Sequence, residues 1–454
     1  MTEGPLNTPQ DIARSTAIRT LTAIRLAAPI VANRAGFLLM VVVDLAMLGR
    51  TYPAEVAHFA MGVSPSIVLM LIGVGLLFGG VVVISQARGE GRLADCGLAW
   101  RRSVPYALIL GFVAMAILTQ AEPLLLLLGQ TPELSAQAAP VARIFGIGMP
   151  FTFLYFVCGF FLESLKRPGP VLLAVAGANL LNFVLTALLL RAMPEQGAEA
   201  TAIATNIARG AAGLFLLLHI MRLKDRDLLG VNGSFLAAGW WSGAKQQRRY
   251  GYAAGLSQGA ETIAFNAMMV FAGWLGDAAL AAYASAINLM AMMFMVAVGL
   301  AAATAVQVGH AHGARDWAER SAAGWTGAGL IGSVMGVFAL ILFLTPDNVA
   351  AIYTADPAAV ERLRPLLLIT AAALIADGLQ VVLGQSCRAA GDSWIPTWLA
   401  LMSYIVIMVP AGWVYAFPLG FGERGLFLGI LTASVISAAA ITLRWSITAR
   451  RSAL

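Results

Sequence analysis

A run of about twenty apolar residues recurs twelve times along this chain, and a run of that length crosses the hydrocarbon core of a bilayer as a helix. We place the twelve at 26–48, 56–84, 104–127, 141–163, 170–190, 199–221, 252–275, 279–308, 322–344, 365–387, 395–418 and 425–446. Of the 454 residues 59% are hydrophobic and only 11% charged, against about 25% charged in a soluble domain. The expected fold class is therefore all-α and integral to the membrane. Gly and Pro interrupt many of the runs, which membrane helices tolerate better than soluble ones.

The stretch before the first run, "MTEGPLNTPQDIARSTAIRTLT", is polar and mildly basic. It lacks the short apolar core and small-residue cleavage site of a signal peptide, so the first run is expected to stay. Cys96, Cys158 and Cys387 are odd in number and show no metal-ligand spacing, which indicates neither a disulfide framework nor a zinc site. The four histidines add no metal motif, and no cofactor is expected. The net charge of +6 is placed for a membrane rather than for nucleic acid. With twelve spans the termini share a side, and that side holds about 20 Lys and Arg, against about six opposite. Arg88, Arg92, Arg101, Arg102, Lys166, Arg167, Arg222, Lys224, Arg226, Lys245, Arg248 and Arg249 are among them. Both termini are therefore expected in the cytoplasm, with the basic loops against anionic lipid headgroups.

The chain echoes itself. "VAHFAMGVSPSIVLMLIGVGLLFGGVVVISQARGEGR", from Val56, aligns without a gap with "LAAYASAINLMAMMFMVAVGLAAATAVQVGHAHGARD", from Leu280, 224 residues later. The pairs are Ala57/Ala281, Ala60/Ala284, Val74-Gly75-Leu76 with Val298-Gly299-Leu300, and Gly89/Gly313. A second echo at offset 222 joins "LESLKRPGP" to "GQSCRAAGD", matching Ser164/Ser386, Lys166/Arg388 and Gly169/Gly391. Six helices per repeat is an even number, so both halves enter from one side and are related by an axis along the membrane normal. We expect two pseudo-symmetric six-helix lobes, 1–221 and 250–454, around a central cavity, joined by a charged, Gly-rich cytoplasmic linker at 222–249. Such lobes suit transport by rocking between inward- and outward-open states.

Asp44, Glu261 and Asp377 lie well inside the runs. A carboxylate at the bilayer centre costs roughly 2.5–3.5 kcal/mol on the lenient insertion scale, so it is a functional candidate by default. Counting back from Arg249 and Arg388 at 1.5 Å per residue, Glu261 and Asp377 both sit roughly 16–18 Å from the cytoplasmic face. Two acids at equal depth in one half read as one site. Asp44 is six residues before Arg50 and could instead snorkel to it. Out of water a carboxylate favours its neutral form, so it can hold and release a proton; with a few neutral oxygens it equally suits Na⁺, and an organic cation can compensate the same charge. Arg34 and Arg209 are intramembrane too, each a possible partner for an acid. Asn179 and Asn182 lie i,i+3 on one helix face, placed to bond Asp44, a ligand or simply a neighbouring helix. "NLMAMMFMVAVG" concentrates Met residues from Met290 to Met295; polarizable, adaptable surfaces suit promiscuous ligands, and plain packing suits them as well.

At these residues the sequence resembles the multidrug and toxic compound extrusion family, in its bacterial NorM-like branch. "APIVANRAGFLLMVVVDLAMLGR" is similar to that family's first helix, with Pro29, Asp44 and Gly49. "ISQARGEGR" and "VGHAHGARD" resemble its paired loops, and "GLSQGAETIAFNAMMVFAGWLG" its seventh helix with an acid, here Glu261. "IADGLQVVLGQSCRAAGDSWIP" is the most specific match, with Asp377, Gln380 and an Arg-x-x-Gly-Asp turn at Arg388, Gly391 and Asp392. The resemblance implies a monomeric, cation-coupled exporter of lipophilic or cationic drugs in the bacterial inner membrane. It implies coupling by H⁺ or Na⁺ at Glu261 and Asp377, with Asp44 as the first-lobe acid. Asn182, Asn179, Gln380, Gln258, Phe265 and Met290 are the candidates for the cavity lining. Three departures stand out: Arg34 replaces an uncharged residue, the two asparagines are three rather than four apart, and Trp394 follows the Gly-Asp turn where a smaller residue is common.

The alternatives are another twelve-helix carrier of major-facilitator type and a flippase for a lipid-linked precursor. "SQARGEGRLADCG" does not supply the Gly-x-x-x-Asp-Arg/Lys-x-Gly-Arg-Arg/Lys run of the first. The second usually has more helices. An enzyme is not expected, since the chain has no His-Glu-x-x-His, no Gly-x-Ser-x-Gly and no phosphate-cradling Gly loop. A channel would want a symmetric ring of charges, whereas these acids fall unequally between the halves.

Overall fold

The computed structural model describes residues 9–127, 129–236, 239–354 and 356–450, with side chains from Arg19 onward. These residues form helices and turns and no strand. The helices are α1 (Pro9–Thr51), α2 (Val56–Leu77), α3 (Gly79–Gly89), α4 (Leu93–Thr119), α5 (Ala121–Leu127), α6 (Pro132–Ser164), α7 (Gly169–Ala192) and α8 (Gly197–Met221). They continue with α9 (Lys245–Trp274), α10 (Asp277–Gly313), α11 (Trp317–Leu344), α12 (Pro346–Tyr353), α13 (Pro357–Ala389), α14 (Trp394–Leu401), α15 (Val409–Ala416) and α16 (Gly422–Arg450). α2 and α3 form a single span broken at Phe78, and α14 and α15 form another, joined by a π-helical stretch, Met402–Met408.

Eleven segments of the described residues are long and apolar enough to cross a membrane. The run expected at 252–275 lies in α9, which has 30 residues and so the length of a span. Gln258, Glu261, Thr262 and Asn266 make it too polar to qualify by composition. This twelfth helix has given up apolar character to carry polar groups.

Cα packing divides the chain into two units, Ala32–Gly259 and Ala260–Leu454, the latter including the chain up to Val31. α1 and α9 each contribute to both units. In the first unit α6 is the central helix, packed by α2, α4 and α8; in the second α13 has that place, packed by α10, α11 and α16. Each central helix starts the same way. Thr131 caps α6 and Asp356 caps α13, each followed by Pro at the first helical position, where its missing N–H is no loss. Outer helices leave apolar side chains uncovered instead: Leu173, Leu180, Phe183 and Leu188 of α7 are exposed.

Helix ends settle the register of the repeat. α3 and α10 end in the same Schellman cap, with Arg92 N donating to Ala87 O and Asp316 N to Ala311 O, around left-handed Gly91 (φ 76°) and Arg315 (φ 58°). This is the 224 offset of the first echo. α6 and α13 also end alike, with Arg167 N donating to Leu162 O and Asp392 N to Cys387 O, around left-handed Lys166 (φ 53°) and Gly391 (φ 88°). Here the equivalent residues are three further apart than the second echo proposed. Ser164 therefore corresponds to Ala389, and Ser386 is still inside α13.

Residues 222–236 and 239–249 are docked within the first unit. Gly97 N donates to Leu229 O at 2.8 Å, Arg101 Nε to Gly230 O at 3.1 Å and Arg102 Nη1 to Gly243 O at 3.0 Å. Arg167 grips Asp225 with both nitrogens, at 3.0 and 2.6 Å. That hydrogen-bonded guanidinium holds the Asp225 carboxyl below the usual carboxylate range.

Candidate functional site

Asp377 is on α13, the central helix of its unit, and is 4% exposed. One turn on, Gln380 Nε2 donates to Asp377 Oδ1 at 2.6 Å and to the Tyr404 hydroxyl at 3.0 Å. Tyr404 comes from the π-helical stretch. The widening has a local cause: Pro410 has no N–H for the carbonyl of Val406, and its ring crowds that carbonyl. The helix takes up the strain in the turns just before the proline, and such π-turns recur at functional sites.

Tyr404 stands within electrostatic reach of Glu261, Asp377 and Arg388, and Arg388 within reach of Glu261. Glu261 and Asp377, separate in sequence, thus have one tyrosine as common neighbour. Glu261 is half-buried and engaged in its own contacts. Phe265, one turn beyond it, places its ring 6.4 Å from that of Tyr404. The oxygens gathered here are two carboxylates, a phenol and an amide, the hard donor set that a proton or Na⁺ requires. Met290, on α10, is 4% exposed. Gln258 is half-buried on α9, in the part of that helix assigned to the other unit. No group of three or more His, Cys, Asp or Glu fit for a metal occurs among the described residues.

In the unit of Ala32–Gly259 the acid is Asp44, which is fully buried. It does not snorkel to Arg50. Three donors meet it from two helices: Asn182 Nδ2 at 3.1 Å and Thr186 Oγ1 at 3.3 Å reach Oδ1, and Thr205 Oγ1 at 2.5 Å reaches Oδ2. Asn182 and Thr186 are four apart on α7, so one face of that helix supplies both. Thr205 and Arg209 are four apart on α8 and repeat the arrangement. Asn179 is spent elsewhere, its amide donating to Gly36 O at 2.9 Å and Val175 O at 2.8 Å. It ties α7 to α1 and does not reach the acid.

One buried acid escapes the sequence reading. Glu163, at the end of α6, is 2% exposed. It accepts from Arg34 Nη2 at 2.9 Å and Asn33 Nδ2 at 3.2 Å, while the Tyr155 hydroxyl donates to Asn33 Oδ1. The Arg34 guanidinium also lies 5.3 Å from the Phe160 ring centroid. Three positions before Lys166, Glu163 reads as a headgroup residue; the departure at Arg34, a cation in need of a partner, is the signal that points to it.

The MatE family model matches residues 29–188 and 253–414, segments that begin 224 residues apart. The chain is 37% identical over 426 residues to a probable multidrug resistance protein NorM of Caulobacter vibrioides, covering 93% of this chain and 90% of that one. It is 29% identical to a protein described likewise in Bradyrhizobium diazoefficiens, covering 94% and 93%. Among solved structures it resembles that of a eukaryotic MATE transporter, with TM-score 0.88 at 18% identity over 96% of this chain and 98% of the other. It also resembles that of a MATE protein in the bent conformation, with TM-score 0.86 at 20% identity over 95% and 97%.

Proposed function

The chain belongs to the MatE family of multidrug efflux transporters, and from that premise we propose that it exchanges H⁺ or Na⁺ for lipophilic cations by alternating access. The coupling ion is taken at Glu261 and Asp377. The observation that carries this reading is Asp377, a carboxylate in a membrane helix whose hydrogen-bond partner is a neutral amide, with Glu261 as the second acid around Tyr404. A carboxylate so desolvated is strongly favoured by one positive charge and gains little from a second. Ion and drug therefore compete.

In the proposed cycle the outward-open protein takes up an ion, which removes the charge that holds the drug. The lobes 1–221 and 250–454 then rock, the ion leaves to the cytoplasm, and the re-ionised acids draw in a cationic drug for the return swing. The basic loops support a bacterial inner-membrane location with both termini cytoplasmic, against anionic lipid. A monomer suffices for this cycle. The test is efflux of a fluorescent lipophilic cation from vesicles reconstituted with the protein, with pH and Na⁺ gradients imposed separately. Export driven by one gradient and lost in Asp377→Asn is the expected result; export by that variant at the normal rate removes Asp377 from the coupling site.

A further inference from the structure

We propose that Arg209 is a built-in counter-cation for Asp44, and that it keeps the coupling ion off the acid of the unit Ala32–Gly259. This rests on the coupling reading above, which it deepens by confining the exchangeable ion to Glu261 and Asp377. Arg209 is 4% exposed and sits on α8, one turn beyond Thr205. Its guanidinium lies 4.4 Å from the ring centroid of Phe37 and 5.7 Å from that of Phe145, and its buried Nε has no hydrogen-bond partner. Thr205, one turn before it on α8, donates to Asp44 Oδ2 at 2.5 Å, and Arg209 is within electrostatic reach of Asp44 from α1 and Tyr155 from α6. Asp44 is thus the carboxylate that balances this cation.

The same accounting from the acid's side agrees. Asp44 faces Asn182 and Thr186 from α7 and Thr205 and Arg209 from α8. Both carboxylate oxygens already accept hydrogen bonds, which suits the ionised form. Binding H⁺ or Na⁺ there would leave a guanidinium stranded among aromatic rings, a buried charge without its partner. Glu163 cannot relieve it, because that carboxylate is paired with Arg34 at 2.9 Å. In the other unit the buried Arg388 is within reach of Glu261, but what donates to Asp377 is the neutral amide of Gln380. One acid is closed by a resident charge and the other is left for a visiting one.

The experiment measures binding of ²²Na⁺ and of protons to the full-length protein in detergent. Its background is Glu261→Gln/Asp377→Asn, which removes the proposed exchangeable site. That background should bind no coupling ion. Adding Arg209→Gln should create binding of an ion per molecule, Asp44→Asn should abolish it, and Arg209→Lys should leave the background silent. Ion binding by the background that Asp44→Asn removes overturns the inference, as does absence of new binding in a folded Arg209→Gln protein. Binding by the background that survives Asp44→Asn instead overturns the coupling reading, by placing the ion elsewhere. If Arg209→Gln does not fold, the background with and without Asp44→Asn still decides.

Discussion

Buried charge dictates the cost of single changes in this protein. Arg34 and Glu163 form an ion pair whose side chains are 11% and 3% exposed, and removing one partner of such a pair costs about 3–5 kcal/mol. Arg34→Leu or Glu163→Leu should each lower the thermal midpoint in detergent far more than Arg34→Leu/Glu163→Leu does, since the double change strands no charge. Thr205→Ala deprives Asp44 of its closest donor and should cost about 1.5–3 kcal/mol, the range for a hydrogen bond to a charged group, read from the same melts. Sequence made Asp44 and Asp377 legible because an acid inside an apolar run has nowhere else to go. It hid Glu163, which reads as a headgroup residue beside Lys166 and Arg167. It also left open which asparagine serves Asp44. Both share a face of α7, and the choice of Asn182 depends on the register of α7 against α1, which no pattern within α7 records.

Backbone approach limits the elements more than side-chain size does. A Cβ on Gly79 would stand 1.9 Å from Gln247 O, and one on Gly251 would stand 2.0 Å from Leu76 O. The helices meet through small residues spaced by four, the contact that membrane helices favour. Gly79→Ala and Gly251→Ala should each lose about 1–3 kcal/mol through overpacking. Gly329→Ala, where an added methyl meets nothing within 4 Å, should be neutral or gain about 0.5–1 kcal/mol of helix propensity. Thermal melts of the three variants side by side decide it. Pro410→Ala restores an N–H to the span Trp394–Ala416, so the π-turn should relax and draw Tyr404 away from Gln380. The expected outcome is weakened ion-coupled efflux in a protein that still purifies as a single species. The helices were readable from the apolar runs, apart from the π-turn. The second echo slipped by three residues because Ser, Gly and basic residues recur too freely near helix ends to fix a register.

For the whole molecule, the docking of the segment around Asp225 has a pH signature. Arg167 depresses the Asp225 carboxyl, so this brace is fully present above the unfolded carboxylate value of about 3.9 and fades as pH falls through the lower folded value. The stability difference between the protein and Arg167→Ala should stay constant from about pH 8 to pH 5 and shrink only on further acidification. A difference that grows toward low pH would contradict that sign. The chain up to Val31 has a different consequence. It packs with Ala260–Leu454: Gly299 allows the close approach of Val31, and Arg19 pairs with Glu319 at 3.0 Å. These partners leave the ribosome long after α1 does, by an interval on the order of tens of seconds at ordinary elongation rates. The first helix made is thus among the last to be fully housed, and over that interval its early turns depend on lipid or on the insertion machinery for shelter.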